Sequence, residues 1–210
     1  MSSSHAVPAS LPVDEHVGRA TGGKVAMWLF IAQDGFSFGG LLLAYGLLRI
    51  FSADWPVPSE ILGINLTAFA TFVLICSSVS MVMAVDAAQK ADKSGTVRWL
   101  LLTILGGATF LGIQAYEYTH LVHAGIGFTQ STWQGQPVNS LFGSTFYVVT
   151  GFHGLHVLSG VIYLTCILVG TLKGKYTQGG LSYSPVELVG LFWHFVDLVW
   201  ILVFTFIYLL

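Results

Sequence analysis

Long apolar runs alternate with short polar interruptions along this chain. About 20 residues at a helical rise of 1.5 Å cross the hydrocarbon of a bilayer, and five runs reach that length. The pattern predicts spans at about 25–49, 61–85, 97–119, 141–172 and 186–210. Asp54, Pro56 and Pro58 break the first pair, and a charged stretch with Asp86, Lys90, Lys93 and Arg98 breaks the second. A Gly- and Gln-rich loop, HAGIGFTQSTWQGQPVNS, follows the third run, and Lys173, Gly174, Lys175 and Gly179-Gly180 follow the fourth. The fourth run exceeds one bilayer thickness and is expected to tilt or to extend past the membrane. Residues 1–23 are polar, lack the apolar core of a cleavable signal, and read as a flexible tail. The expectation is an all-α, polytopic bundle of five transmembrane helices over residues 24–210, without internal repeats.

The last run, PVELVGLFWHFVDLVWILVFTFIYLL, carries Glu187, His194 and Asp197. On a helix these fall within roughly 80° of one another, so the span has a polar seam. Ionisable groups at membrane depth face protein or water rather than lipid, so other helices must cover that seam. Asp34, about ten residues past Lys24, lies roughly 15 Å into the membrane at helical rise. His194 and Asp197 lie about 10 and 15 Å past Glu187 by the same measure. With the fourth span running the other way, His153 and His156 reach similar depth.

Basic residues set the expected orientation. With a cytoplasmic N-terminus, Arg19, Lys24, Lys90, Lys93, Arg98, Lys173 and Lys175 lie inside and Arg49 alone lies outside. The N-terminus is therefore expected in the cytoplasm and the C-terminus in the periplasm. Trp28 and Trp99 then flank the inner interface and Trp55 the outer one.

Composition agrees with this pattern. The chain is 54% hydrophobic and 9% charged, against about 25% charged in soluble domains, and its mean hydropathy is +0.76. A net charge of −2 offers nothing to nucleic acid. Cys76 and Cys166, each inside an apolar run, read as small buried hydrophobes and not as a disulfide.

Several side chains are candidates for chemistry. His153 and His156, three apart in GFHGLHVLSG, share a helix face with Thr150 and Gly160. That spacing permits shared metal ligation. It equally suits interhelical hydrogen bonding, with Gly151, Gly154 and Gly160 admitting a neighbouring helix. A metal needs more ligands, and His194 is the only other deep histidine. His194 and Asp197, beside Trp193 and Trp200, suit either a proton relay or a lock between helices. Asp34, the lone acid of its span, is expected to pair with His194 across the first and last helices. Glu117, one turn past Gln114, is expected to reach the interface or to pair locally. Glu187 stands three residues after Ser184 in capping-box register, with Pro185 opening the helix, and a local cap is its expected role.

FGSTFYVVTGFHGLHVLSGVIYL (142–164) and WHFVDLVWILVFTFIYLL (193–210) resemble the last two helices of cytochrome c oxidase subunit III. LGIQAYEY (111–118) is similar to the Q-A-x-E-Y stretch of that family, and MWLFIAQDGFSFGGLLLAY (27–45) to its acid-bearing helix. The resemblance covers residues 24–210 and implies the short, five-helix bacterial form, without the N-terminal helix pair of seven-helix members. It implies a multi-pass protein of the bacterial inner membrane, in a haem-copper terminal oxidase that receives electrons from cytochrome c or, in related enzymes, from quinol. Haem and copper would reside in partner subunits and none in this chain. The implied partners are subunit I above all, subunit II, a small subunit IV, phospholipids and a larger respiratory supercomplex. The family's buried carboxylate falls on Asp34, where most members carry Glu, and Glu117, His153, His156, His194 and Asp197 occupy motif positions.

Two other classes use the same residues differently. A stand-alone proton-coupled transporter draws on the midplane Asp and His set but is expected to show an inverted repeat, which this sequence lacks. A di-haem electron carrier is expected to show a Soret band in the isolated chain.

Overall fold

Helix α1 (Gly22–Phe51) opens the computed structural model, which describes residues 22–52, 54–129, 131–133, 135–176 and 183–210. The expected tail thus lies almost wholly outside the described residues. The short α2 (Pro58–Ile61) is followed by the long helices α3 (Ile64–Gln89) and α4 (Lys93–His123). A two-stranded antiparallel hairpin, β1 (Ser131–Trp133) with β2 (Gln136–Val138), pairs Ser131 with Val138 and Trp133 with Gln136. Then come α5 (Ser140–Leu172) and α6 (Ser184–Phe204), which ends in a π-helical turn, Thr205–Leu209. The described residues contain five helices long and apolar enough to cross a membrane.

Local chemistry explains where the helix ends depart from the expected ones. The second span starts at Ile64 and not near 61, because Pro58 opens a separate single turn and Gly63 stands at the cap of α3. The third starts four residues early because Asp92 caps it, accepting from the Gly95 amide at 3.0 Å. Asn139 caps α5 in the same way through the Leu141 amide at 3.0 Å. Between α3 and α4 the chain reverses in three residues, with Ala91 in the left-handed region at φ 58°. The Gly- and Gln-rich loop after α4 contains the hairpin, and the segment before β1 is held to α5 by Ser144 Oγ donating to the Phe128 carbonyl at 2.6 Å.

Helix α6 is the hub. Half of its most apolar stretch is buried, against 17% for α1, and it packs on α1, α3 and α5. The two largest fully buried side chains, Trp193 and Trp200, both belong to it. Of the polar seam read from the sequence, Asp197 is buried, while Glu187 and His194 are half-buried. Trp193 fits because its neighbours are glycines: a Cβ on Gly107 of α4 would lie 2.5 Å from the indole, and one on Gly160 of α5 2.9 Å. Small residues let helices approach closely where no hydrophobic effect drives them together. Cys76 and Cys166 correct the sequence expectation: both are exposed on the outside of the bundle, where lipid is as apolar as the core, so an apolar run alone does not say which way a residue faces.

Candidate functional site

The membrane-depth polar groups are distributed over the helix contacts and do not converge on one centre. On α1, Asp34 is 8% exposed and meets α5, its Oδ2 lying 3.1 Å from His156 Nε2. This contact is at ion-pair distance but lacks the alignment of a hydrogen bond. The other nitrogen of His156, Nδ1, lies 2.8 Å from the Phe152 carbonyl one turn back. Since a carbonyl only accepts, Nδ1 donates there and the ring orientation is fixed. Phe38 and Phe152 flank the imidazole edge-on, at ring separations of 5.1 and 4.7 Å.

The expected Asp34–His194 pair is not formed. Among the described residues His194 Nδ1 instead meets Ser78 Oγ on α3 at 2.7 Å. Depth matched the two residues, but depth says nothing of azimuth: Asp34 faces α5 while His194 faces α3. Ser78 is also the polar neighbour of the Asp197 carboxyl, one turn along α6. Asp197 is buried, and its Oδ1 has no partner among the described residues.

Glu117 also departs from expectation. It neither reaches an interface nor pairs locally; it is 7% exposed and joins three elements. Thr67 of α3 donates to its Oε1 at 3.0 Å, and Tyr208 donates to its Oε2 at 2.8 Å. Tyr208 sits in the π-helical turn, so the widened last turn of the chain carries the phenol onto the carboxylate. Beside this contact lies a cleft of ≈ 220 Å³ lined by Leu62, Gly63, Tyr116 and His120 among others.

Glu187 does not cap its helix. The cap position is Tyr183, one residue before the expected Ser184, and no side chain bonds the first turn. The Glu187 carboxylate instead takes Lys24 of α1 at 2.7 Å, which ties α1 to α6 at that end of the bundle.

His153 and His156 share a face but not a site. The His153 ring is fully buried against Trp200 at 4.8 Å and Phe110 at 5.8 Å, and neither ring nitrogen has a partner among the described residues. Three potential ligands do not come together anywhere: no group of three or more His, Cys, Asp or Glu with metal-binding geometry occurs among the described residues.

The sequence reading underweighted two sets of residues. Thr71 and Ser77 make α3 a ladder of acceptors for α6: Trp193 donates to Ser77 Oγ at 3.1 Å and Trp200 to Thr71 Oγ1 at 2.8 Å. Buried indoles usually find acceptors, and two of them two turns apart were the available signal. Gln114 donates to the Thr150 carbonyl at 2.8 Å and to Tyr118 Oη at 3.1 Å, which fastens α4 to α5. Gly154 makes room for it, since a Cβ there would stand 2.8 Å from the amide oxygen.

These features define a polytopic, all-α membrane protein whose intramembrane acids and histidines are engaged between helices. The profile of one family, described as cytochrome c oxidase subunit III, matches residues 14–210. The chain is 38% identical over 186 residues to a probable cytochrome c oxidase subunit 3 of Nocardia farcinica, covering 88% of this chain and 86% of that protein. It is 37% identical over 188 residues to cytochrome c oxidase subunit 3 of Corynebacterium diphtheriae, again covering 88% and 86%. Quinol oxidase subunit 3 of Bacillus subtilis is 32% identical over 186 residues, covering 89% and 86%. The chain belongs to the cytochrome c oxidase subunit III family, in its short bacterial form, and is embedded in the membrane by several passes.

Proposed function

We propose that this chain is the non-catalytic third subunit of a proton-pumping haem-copper terminal oxidase in the respiratory chain. It would stabilise subunit I, hold phospholipid beside it and support its proton uptake, while haem and copper sit in partner subunits I and II. The observation that supports this most is the use of the buried polar side chains. Asp34, Glu117, His156 and His194 each meet a partner on another helix, an arrangement suited to a scaffold. Higher identity to the proteins named for cytochrome c than to the one named for quinol, 37–38% against 32%, favours cytochrome c as the donor. The quinol enzyme is the second reading. In this proposal the N-terminus is cytoplasmic and the hairpin faces the periplasm, as the basic residues require.

Purification of the tagged chain from its own membranes in mild detergent tests the reading. The expected product is a complex with a haem-bearing subunit of many more helices that reduces oxygen. A stable monomer that transports protons alone in vesicles overturns it.

A further inference from the structure

One hydroxyl of α3 is turned toward another helix. Thr67, Thr71, Ser77 and Ser80 each donate to a carbonyl one turn back, as hydroxyls in apolar spans do. Ser78 does not. Its Oγ lies 2.7 Å from His194 Nδ1 on α6, and the Asp197 carboxyl is its second polar neighbour. A single hydroxyl thus stands between an imidazole and a carboxyl that are one turn apart on the facing helix.

Two features separate this trio from a simple lock between helices. Asp197 is 7% exposed, and its Oδ1 has no partner among the described residues. A carboxylate left bare on one oxygen at membrane depth is costly unless a proton neutralises it. His194, by contrast, is half-buried and lines a cleft of ≈ 280 Å³ between α3 and α6. Val82 and Leu191 are apolar walls of that cleft, while Asp86 and Gln89 of the last turn of α3 and Glu187 of the first turn of α6 make its polar end. Both acids there are engaged, Asp86 by Lys90 at 2.6 Å and Glu187 by Lys24 of α1 at 2.7 Å. Among the described residues no charged side chain of α4 or α5 lines the cleft, and none stands beside His194 or Asp197. His194 is therefore the titratable group of the cleft that reaches the buried acid, and it does so through Ser78.

We infer that His194, Ser78 and Asp197 form a proton-exchange relay, through which the buried Asp197 carboxyl takes a proton from water in the α3–α6 cleft and returns it. A proton added to His194 Nε2 makes an imidazolium. Nδ1 then passes its proton to Ser78 Oγ while the Ser78 hydroxyl passes its own to the Asp197 carboxylate. The ring is left neutral with the new proton on Nε2, the hydroxyl is restored, and Asp197 has lost its charge. The reverse sequence returns the proton to the cleft. The contact of 2.7 Å between Nδ1 and Oγ is within reach for direct transfer. The relay belongs to this chain alone and holds whichever complex surrounds it, so its test is separate from that of the subunit role.

Infrared spectroscopy of the protein purified through the tagged chain, with every partner that accompanies it, reads the acid directly. The protonated-carboxyl C=O band that disappears in Asp197→Asn identifies the group, and its shift on transfer to deuterated water times the exchange. Ser78→Ala and His194→Phe are each expected to slow that shift by about tenfold or more. Ser78→Thr, which restores a hydroxyl, is expected to return it to the original rate. A merely structural role predicts the opposite sign, because loosened packing speeds exchange. Where Ser78→Ala does not fold, His194→Phe at its half-buried position carries the test. Exchange that is unchanged or faster in His194→Phe overturns the relay, and so does a Ser78→Thr protein as slow as Ser78→Ala. The lack of any Asp197-dependent band between about pH 5 and 8 overturns it as well. If the relay falls while the tagged chain still brings down haem, the subunit role stands.

Discussion

Because His156 Nδ1 donates to the Phe152 carbonyl, the ring is held with Nε2 against the Asp34 carboxyl. Removing one partner leaves the other buried without compensation. His156→Leu is therefore expected to lower stability by about 1–3 kcal/mol, read as an earlier thermal transition of the purified complex. Asp34→Asn is expected to be milder, because an amide can still donate to a neutral Nε2. In the assembled oxidase it should leave the initial rate of oxygen reduction near normal and shorten the working life. Immediate loss of all activity in a fully assembled Asp34→Asn enzyme would sink the scaffold view of this acid. Glu117 offers a parallel comparison. Glu117→Gln keeps an acceptor for Thr67 and a group that can bond Tyr208, whereas Glu117→Leu leaves Thr67 only the Gly63 carbonyl and removes the acceptor of the buried Tyr208 hydroxyl, and is expected to cost about 1–3 kcal/mol more. Equal melting of the two variants would count against this account. At this scale the sequence told which residues mattered but not whom they meet: Asp34 was legible as a buried acid, Glu117 was expected at the interface or in a local pair and Glu187 as a cap, and each has a partner that only the helix azimuths reveal.

At the scale of elements the assembly depends on α6 and on what α3 and α4 offer it. The long apolar runs were readable because five crossings need only length and hydropathy. The ends were less so, since Asp92 and Asn139 as caps move them by a few residues. The hairpin was missed because its strands are three residues each, too short for an alternating pattern to register. The α3–α6 ladder lay in view as hydroxyls on one helix and indoles on the other. Its energetics can be tested at single sites. Ser77→Ala leaves the Trp193 N–H buried without an acceptor and is expected to cost about 1–3 kcal/mol. Gly107→Val drives a side chain into both Trp193 and Val161 and is expected to prevent the bundle from closing, seen as loss of folded chain from the membrane. Gly112→Val on the outer side of the same helix should be neutral. If Gly107→Val is equally neutral, Trp193 is not the wedge that spaces α4, α5 and α6.

For the whole molecule the question is which way the bundle sits. Every clasp described above is internal and would survive inversion, so orientation depends on the flanking charges. Lys90 and Lys93 crowd the turn between α3 and α4, and Lys93 Nζ also donates to the Leu172 carbonyl at 2.7 Å, closing the C-terminal end of α5. Lys24 meets Glu187 at that same end. The opposite end carries Arg49, which bonds the Leu210 carbonyl, and the hairpin. In the proposed orientation a bias of this size places the basic end in the cytoplasm during insertion. The check is a single cysteine on each side, with Cys76 and Cys166 replaced by serine because both are exposed. A membrane-impermeant maleimide added to intact spheroplasts is expected to label Trp133→Cys in the hairpin and to spare Lys90→Cys until the membrane is opened. The reverse pattern would turn the molecule over. It would put Lys24, Lys90 and Lys93 on the periplasmic side, and the proposed support of proton uptake from the cytoplasm would lose its geometry, while the fold and the clasps would stand.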